Sequence, residues 1–303
     1  MRIDANATFA NWQEQVEAAV TAAGGKPFSL SRQVPQSGGS INRSLQLEGA
    51  AGERYFLKLN APAKADLFAA EAAGLAALRQ TGCVRVPHTV ASGVASDAAW
   101  LLLEFLPLDE LDKSTAARLG EQLAELHRSS ASRYGFERNT VIGATVQLND
   151  WQDSWVQFWR EQRLGFQLRL AGGNGAPQAL LQTGERLQAK LDGFFSAYCP
   201  APSLLHGDLW AGNAAAANGI PVIFDPAVYY GDRETDIAMT ELFGGFPSSF
   251  YAAYRAAWPL DPGYPVRRGV YNLYHVLNHF NLFGGSYAAQ AQNLIQRLLA
   301  ELG

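Results

Sequence analysis

The sequence predicts an α+β protein built as two lobes, a smaller β-rich one over residues 1–106 and a larger, mainly helical one over 107–303. Three observations carry that expectation. Short runs rich in β-branched and aromatic residues, separated by Gly- and Ser-containing turns, crowd the first hundred positions. From Ala116 onward, apolar residues recur at helical spacing. Inside this helical half, the polar residues able to do chemistry gather on one short hairpin. A β-rich lobe followed by a helical one leaves a cleft between them.

Taken in order, Asn11 to Ala23 places Trp12, Val16, Ala19 and Val20 on one helical face before the Gly24-Gly25 stop. Phe28 to Val34, Ile41 to Leu47 and Arg54 to Leu59 read as strands of an antiparallel sheet, joined by the turns around Gly38-Gly39 and Gly49 to Gly52. Ala63 to Thr81 is an alanine-rich helix ending at Gly82, and two further strands follow, His88 to Gly93 and Trp100 to Phe105. Beyond Pro107 the helices are Ala116 to Ser129, Trp151 to Leu170, Gln178 to Tyr198, Asp236 to Leu242, Ser248 to Ala257, Val266 to Phe283 and Ser286 to Leu302. Ser203 to Phe224 interrupts them, with two short apolar runs flanking a polar loop and an alanine-rich turn.

Composition removes several function classes. The 303 residues carry 24 Lys+Arg against 28 Asp+Glu and contain no basic tract, so the electrostatic footprint of a nucleic-acid or anionic-membrane binder is missing. The longest apolar stretch, Ala98 to Leu103, stops at Glu104, and the first residues have no apolar core, so no membrane span and no secretory signal are expected. A cytoplasmic monomer is the default expectation. Cys83 and Cys199 lie far apart in no metal-binding pattern and read as ordinary buried or half-buried thiols. One oddity remains. Of only five lysines, Lys58 alone sits inside an apolar run, Tyr55-Phe56-Leu57-Lys58-Leu59.

The hairpin reads His206-Gly207-Asp208-Leu209-Trp210-Ala211-Gly212-Asn213, then Phe224-Asp225-Pro226. An Asp and an Asn five positions apart on a tight loop, with a second Asp at the end of the next strand, can converge on one small volume. Phosphoryl transfer from a nucleotide needs such a set: a carboxylate to orient the attacking hydroxyl and take its proton, and oxygen ligands for Mg²⁺. Asp208 would be the base, and Asn213 and Asp225 the metal ligands. Taken singly, each of these residues also suits a cap or a turn.

The stretch HGDLWAGN followed by FDPAVYYGDRETDIAMTELFGGF resembles the fructosamine kinase (ketosamine-3-kinase) family, within the aminoglycoside-phosphotransferase and protein-kinase-like fold. Asn149-Asp150-Trp151 with Phe158-Trp159 and Arg163-Leu164 is similar to a further segment of that family. The resemblance implies a two-lobed kinase-like fold and an ATP- and Mg²⁺-dependent transferase that phosphorylates the 3-hydroxyl of fructosamines or related ketosamines, including ribulosamines, in deglycation repair. It also gives Lys58 a role, contact with the α- and β-phosphates, and a partner, Glu71 in the following helix; an isolated buried ammonium would be costly. Gly38, Gly39 and Ser40 would form the phosphate-covering turn, with Ser40 where many relatives carry a cysteine, so no redox switch is expected there. Glu104-Phe105-Leu106 resembles the hinge that receives adenine, and Asp236 the acid that braces the catalytic loop from below.

His206 would anchor the loop through hydrogen bonds. Trp210 either borders the acceptor sugar, whose C–H faces suit an aromatic ring, or packs the loop onto the helical lobe. His275 and His279 share a helix face and read as packing or cleft lining more than as metal ligands. Two rival readings are a kinase of the same fold acting on an aminoglycoside, choline or sugar hydroxyl, and a non-catalytic pseudokinase. The second would be expected to lack Lys58, Asp208, Asn213 or Asp225, and all four are present.

Overall fold

In the computed structural model, which describes residues 11–36 and 41–303, the chain opens with α1 (Trp12–Gly24), closed by Gly25 in the left-handed conformation. Strands β1 (Leu30–Gln36), β2 (Arg43–Gly49) and β3 (Arg54–Asn60), then α2 (Ala65–Thr81), β4 (Thr89–Val94) and β5 (Ala99–Glu104), complete the small lobe. Its sheet is antiparallel in the order β1-β2-β3-β5-β4. Strand alternation sorts the side chains of β2 and β3 onto two faces. Leu45, Leu47, Leu57 and Leu59 share a core with Trp12, Val16 and Val20 of α1 and with Trp100 and Leu102. Ser44, Lys58 and Asn60 alternate with those leucines and so point to the opposite face, where all three are buried. Helix α1 is also tied by polar contacts: the Leu30 N–H donates to Glu17 at 2.7 Å and the Trp100 indole N–H to Gln15 at 3.2 Å.

The larger lobe begins with α3 (Lys113–Leu126), whose N-terminus is capped by the Asp112 carboxylate accepting the Thr115 N–H at 2.7 Å. A hairpin, β6 (Thr140–Ile142) and β7 (Thr145–Gln147), precedes α4 (Trp155–Phe158), which runs through a π-helical turn, Trp159–Leu164, into α5 (Gly165–Gly173). After α6 (Gln178–Ala189) come β8 (Ser203–Leu205), the hairpin β9 (Ala214–Ala217) and β10 (Ile220–Ile223), and β11 (Tyr229–Gly231), which pairs back onto β8. Four helices end the chain: α7 (Glu234–Leu242), α8 (Ser248–Ala257), α9 (Tyr264–Phe283) and α10 (Tyr287–Glu301).

The α+β, two-lobed arrangement agrees with the sequence, and α8 spans the expected residues. Several elements differ. The alanine-rich turn is strand β9: its alanines pack with Leu106, Val222 and Phe224, and a turn at Asn218-Gly219, both with positive φ, closes the hairpin. Strands β6, β7 and β11 are only three residues each and carry no periodic signal. The helix expected from Trp151 begins at Trp155, and that expected over Gln178 to Tyr198 stops at Ala189, before a 3₁₀ turn at Leu191–Phe194. Cys83 is half-buried, whereas Cys199 is exposed.

Helices α3 and α8 meet at Gly120, where a Cβ would collide with the Phe250 carbonyl and stand 3.0 Å from the Tyr254 nitrogen. Gly120→Ala should therefore destabilise the protein by about 1–3 kcal/mol despite the better helix propensity of alanine. Thermal denaturation is the check, with Gly24→Ala, which has open space around it, as the control expected to show no loss.

Candidate active site

The polar hairpin between β8 and β9 is held by one buried carboxylate beneath it. Asp236, in the first turn of α7, accepts the backbone N–H of His206 at 2.7 Å and of Gly207 at 2.8 Å, and it faces the ring of His127 at 3.2 Å. Burial alone would raise this carboxyl, but the His127 hydrogen bond and charge outweigh it and hold the group below the usual carboxylate value. Gly207 sits at φ 82° with the Ala227 carbonyl where a Cβ would be, so the loop admits only glycine there.

His206 ties the two limbs of the site. Its Nε2–H donates to the Phe224 carbonyl at 3.0 Å, leaving Nδ1 to accept the Asp208 N–H at 3.3 Å. Burial lowers its pKa, which suits the neutral ring this pattern needs. Asn213 donates its amide to the Asp208 carbonyl at 2.9 Å and to the Asp208 carboxylate at 3.4 Å. The half-buried Asp208 carboxyl is pushed up to about 7 by burial, reinforced by the charges of Asp225 and Asp236.

Lys58 closes the site from the other lobe. Its Nζ lies 2.6 Å from Glu71 in α2 and 2.6 Å from Asp225, 167 residues further along the chain. Burial would lower the lysine pKa, but the two carboxylates reverse this and keep it above its ordinary value, so the ammonium stays charged. Asp225 adopts φ 57°, a left-handed conformation unusual for a residue with a side chain. The sequence anticipates the Glu71 partner, while the contact with Asp225 is an addition of the structure.

Glu104, Phe105 and Leu106 leave β5 between the lobes. The Glu104 carboxylate accepts from Arg85 at 2.9 Å and from the His88 N–H at 3.1 Å, Arg54 lies 4.9 Å over the Phe105 ring, and Leu106 packs on the β9–β10 hairpin. Gly38, Gly39 and Ser40 lie outside the described residues. The chain just after them is held by Asn60, whose amide donates to the Ile41 carbonyl at 3.1 Å and to Asn42 at 2.8 Å. Trp210 is 40% exposed, with its ring lying over Gly212. His275 is buried against Tyr274, with a pKa lowered to about 3 by burial, and His279 sits among Phe243, Phe283 and Tyr287. Among the described residues no group of three or more His, Cys, Asp or Glu is arranged as a metal cluster.

Some supporting residues escape sequence reasoning. His127 terminates α3 and is fully buried, held by Asp236 on one nitrogen and Tyr254 at 2.8 Å on the other. The signal that could have found it is a histidine following the buried helical face Leu119, Leu123 and Leu126.

Comparison with known proteins bears on this geometry. A model of the family described as fructosamine kinase matches residues 12–301. A Synechocystis protein named "Probable ketoamine kinase" is 42% identical over 295 residues, covering 96% of this chain and 97% of that one. The chloroplastic protein-ribulosamine 3-kinase of Arabidopsis thaliana is 38% identical over 282 residues, 92% of this chain and 86% of that protein. The crystal structure of a Haemophilus somnus protein described as "Putative fructosamine-3-kinase" superposes with a TM-score of 0.86 at 30% identity, covering 95% of this chain and 100% of that one.

The brace beneath the loop has a measurable consequence. Asp236→Asn replaces a two-oxygen acceptor with a single oxygen, strands a buried N–H and should cost about 1–3 kcal/mol at neutral pH. Because the folded-state pKa of Asp236 is lowered, its contribution is complete above the ordinary carboxylate value and is lost as pH falls through the lowered one. Melting curves against pH should therefore show a shallower acid limb in the variant; an identical limb would count against the brace.

Proposed function

Because the chain belongs to the fructosamine kinase family, we propose that it transfers the γ-phosphoryl group of ATP to the 3-hydroxyl of fructosamines or the related ribulosamines. The observation that carries this reading is the 2.6 Å contact between Lys58 and Asp225, which joins the small-lobe sheet to the hairpin bearing Asp208 and Asn213. Four side chains that phosphoryl transfer requires thus meet in one place.

Lys58, steadied by Glu71, is placed to hold the α- and β-phosphates with a compact ammonium. The Glu104–Leu106 backbone is assigned to the adenine edge, with Leu106 and the β9–β10 hairpin on one ring face. Asn213 directs its N–H groups at Asp208 and so offers Oδ1, and Asp225, with Oδ1 on Lys58, offers its second oxygen. These two hard oxygen donors fit Mg²⁺ and would hold it. Bound Mg²⁺ would neutralise charge on the transferring group. Asp208, with its pKa near neutrality, orients the acceptor hydroxyl and takes its proton as the new oxygen–phosphorus bond forms and the bond from the γ-phosphorus to the ADP oxygen breaks, releasing ADP. Trp210, exposed two residues further on, offers its ring to the C–H face of the sugar.

In this reading residues 1–106 bind nucleotide and 107–303 bind metal and acceptor. No described helix is long and apolar enough to cross a membrane, and a cytoplasmic location is part of the same proposal.

Coupled ADP release should report turnover of a fructose-lysine or ribulose-lysine adduct and none of an aminoglycoside or choline; the reverse preference would reject the acceptor assignment. Asp208→Asn should lower kcat by about 10²- to 10⁴-fold while calorimetric ATP affinity stays near wild type. Lys58→Arg should impair ATP use although the charge is kept, since a forked guanidinium does not fit between Glu71 and Asp225 as an ammonium does. Trp210→Ala should raise the acceptor KM by roughly tenfold and leave the ATP KM unchanged. Equal rises in both would return Trp210 to a packing role.

A further inference from the structure

Between Asp225 and β11 the chain passes against the catalytic loop, and Ala227 is gripped on both sides of its peptide unit. Its N–H donates to the His206 carbonyl at 2.8 Å, and its own carbonyl accepts from Gln147 Nε2 at 2.9 Å. Gln147 ends β7 and is 1% exposed. Its second N–H goes to the Thr140 hydroxyl at 2.9 Å, and its Oε1 accepts from the Tyr274 hydroxyl of α9 at 2.8 Å. A carbonyl can only accept, so chemistry orients the amide: Nε2 must face Ala227. Every polar atom of this buried side chain is therefore in use.

The two residues that follow are locked by a buried cation. Arg163, at the end of the π-helical turn, donates to the Leu148 carbonyl at 2.5 Å and to Asn149 Oδ1 at 2.8 Å. Its guanidinium lies 4.6 Å from the Phe158 ring centre and 4.1 Å from that of Tyr229, with no carboxylate within ion-pair distance among the described residues. Aromatic faces replace the usual counter-ion. The backbone that carries Gln147 is thus rigid, and α9 holds the same hairpin through Asn278, which donates to the Ile142 carbonyl at 3.3 Å.

We propose that Gln147 is a positioning residue for phosphoryl transfer: its amide fixes the Asp225–Ala227 segment against the catalytic loop and so sets where Asp225 stands relative to Asp208. The inference rests on the roles given to those two carboxylates above. Gln147 itself is almost fully buried and so offers no surface to either substrate.

Gln147→Leu removes both donors and the acceptor, while Gln147→Glu keeps the acceptor for Tyr274 and loses the donor to Ala227. Both variants should lower kcat for a ketosamine by about 10- to 100-fold, with ATP and acceptor KM within about threefold of wild type. Backbone hydrogen exchange should accelerate at Ala227 by about tenfold and stay unchanged in α3 and α10. The proposal is overturned by unchanged exchange at Ala227, by a kcat within about twofold of wild type, by a loss carried in KM, or by a uniform rise in exchange across the chain in both variants. Should the wild-type chain fail to phosphorylate any ketosamine, the function above is refuted, while exchange at Ala227 still decides the role of Gln147.

Discussion

A single ammonium group, Lys58 Nζ, with a carboxylate on either side, is the contact on which the rest of the site depends. Burying it costs several kcal/mol of solvation, and one partner offsets that only in part. Glu71 supplies a partner from α2 within the same lobe, and Asp225 supplies the second from the other lobe. The pairing therefore acts at three levels. It makes a buried ammonium tolerable beside Leu101, sets α2 against the sheet, and draws the end of the hairpin bearing Asp208 up to β3. Removing Lys58 would leave the buried Glu71 carboxylate without its partner, which is more costly than the pair is stabilising.

Beneath the cleft a second carboxylate, Asp236, plays a comparable part for the opposite side of the site. It accepts two successive backbone N–H groups of a loop whose left-handed glycine turns the chain sharply, and His127 and Tyr254 extend that network to α3 and α8. The loop bearing Asp208 is short and polar, but most of its hydrogen bonds lead into buried, rigid elements. Preorganisation of this kind lets a carboxylate act without reorganising at the moment of reaction.

How much of this was legible in the sequence depended on whether the signal was local. The apolar, β-rich run around Lys58 and the stop at Gly82 made β3 and α2 readable, and the spacing from Asp208 to Asn213 to Asp225 made a candidate phosphoryl-transfer site readable. The contact between Lys58 and Asp225 spans 167 residues and leaves no periodic trace. Four consecutive alanines read as a turn because β propensity is largely a matter of side-chain packing, and at β9 the partner is a hairpin that needs small residues. Gln147 stood in Gln147-Leu148-Asn149-Asp150, where any polar residue would have looked solvent-facing. Its burial comes from partners distant in sequence, Ala227 and Tyr274, while Arg163 on the π-helical turn holds its neighbours Leu148 and Asn149.

These threads meet on the four residues Phe224 to Ala227. The Phe224 carbonyl accepts from His206, Asp225 pairs with Lys58, the Ala227 N–H donates to His206, and the Ala227 carbonyl accepts from Gln147. Such dense tethering is what allows Asp225 to remain at φ 57°, a conformation that costs of the order of 1 kcal/mol or more and persists only where the surroundings over-determine it. The tethers also differ in kind: Lys58 acts through charge from one lobe, Gln147 through a neutral amide from the other. A charged tether responds to what else occupies the cleft, and on the proposed function phosphates would compete for the same ammonium. A neutral, fully buried one does not. On the proposed function, the Lys58 contact would yield when nucleotide binds while Gln147 would keep the segment, and with it the spacing of Asp225 from Asp208, in place.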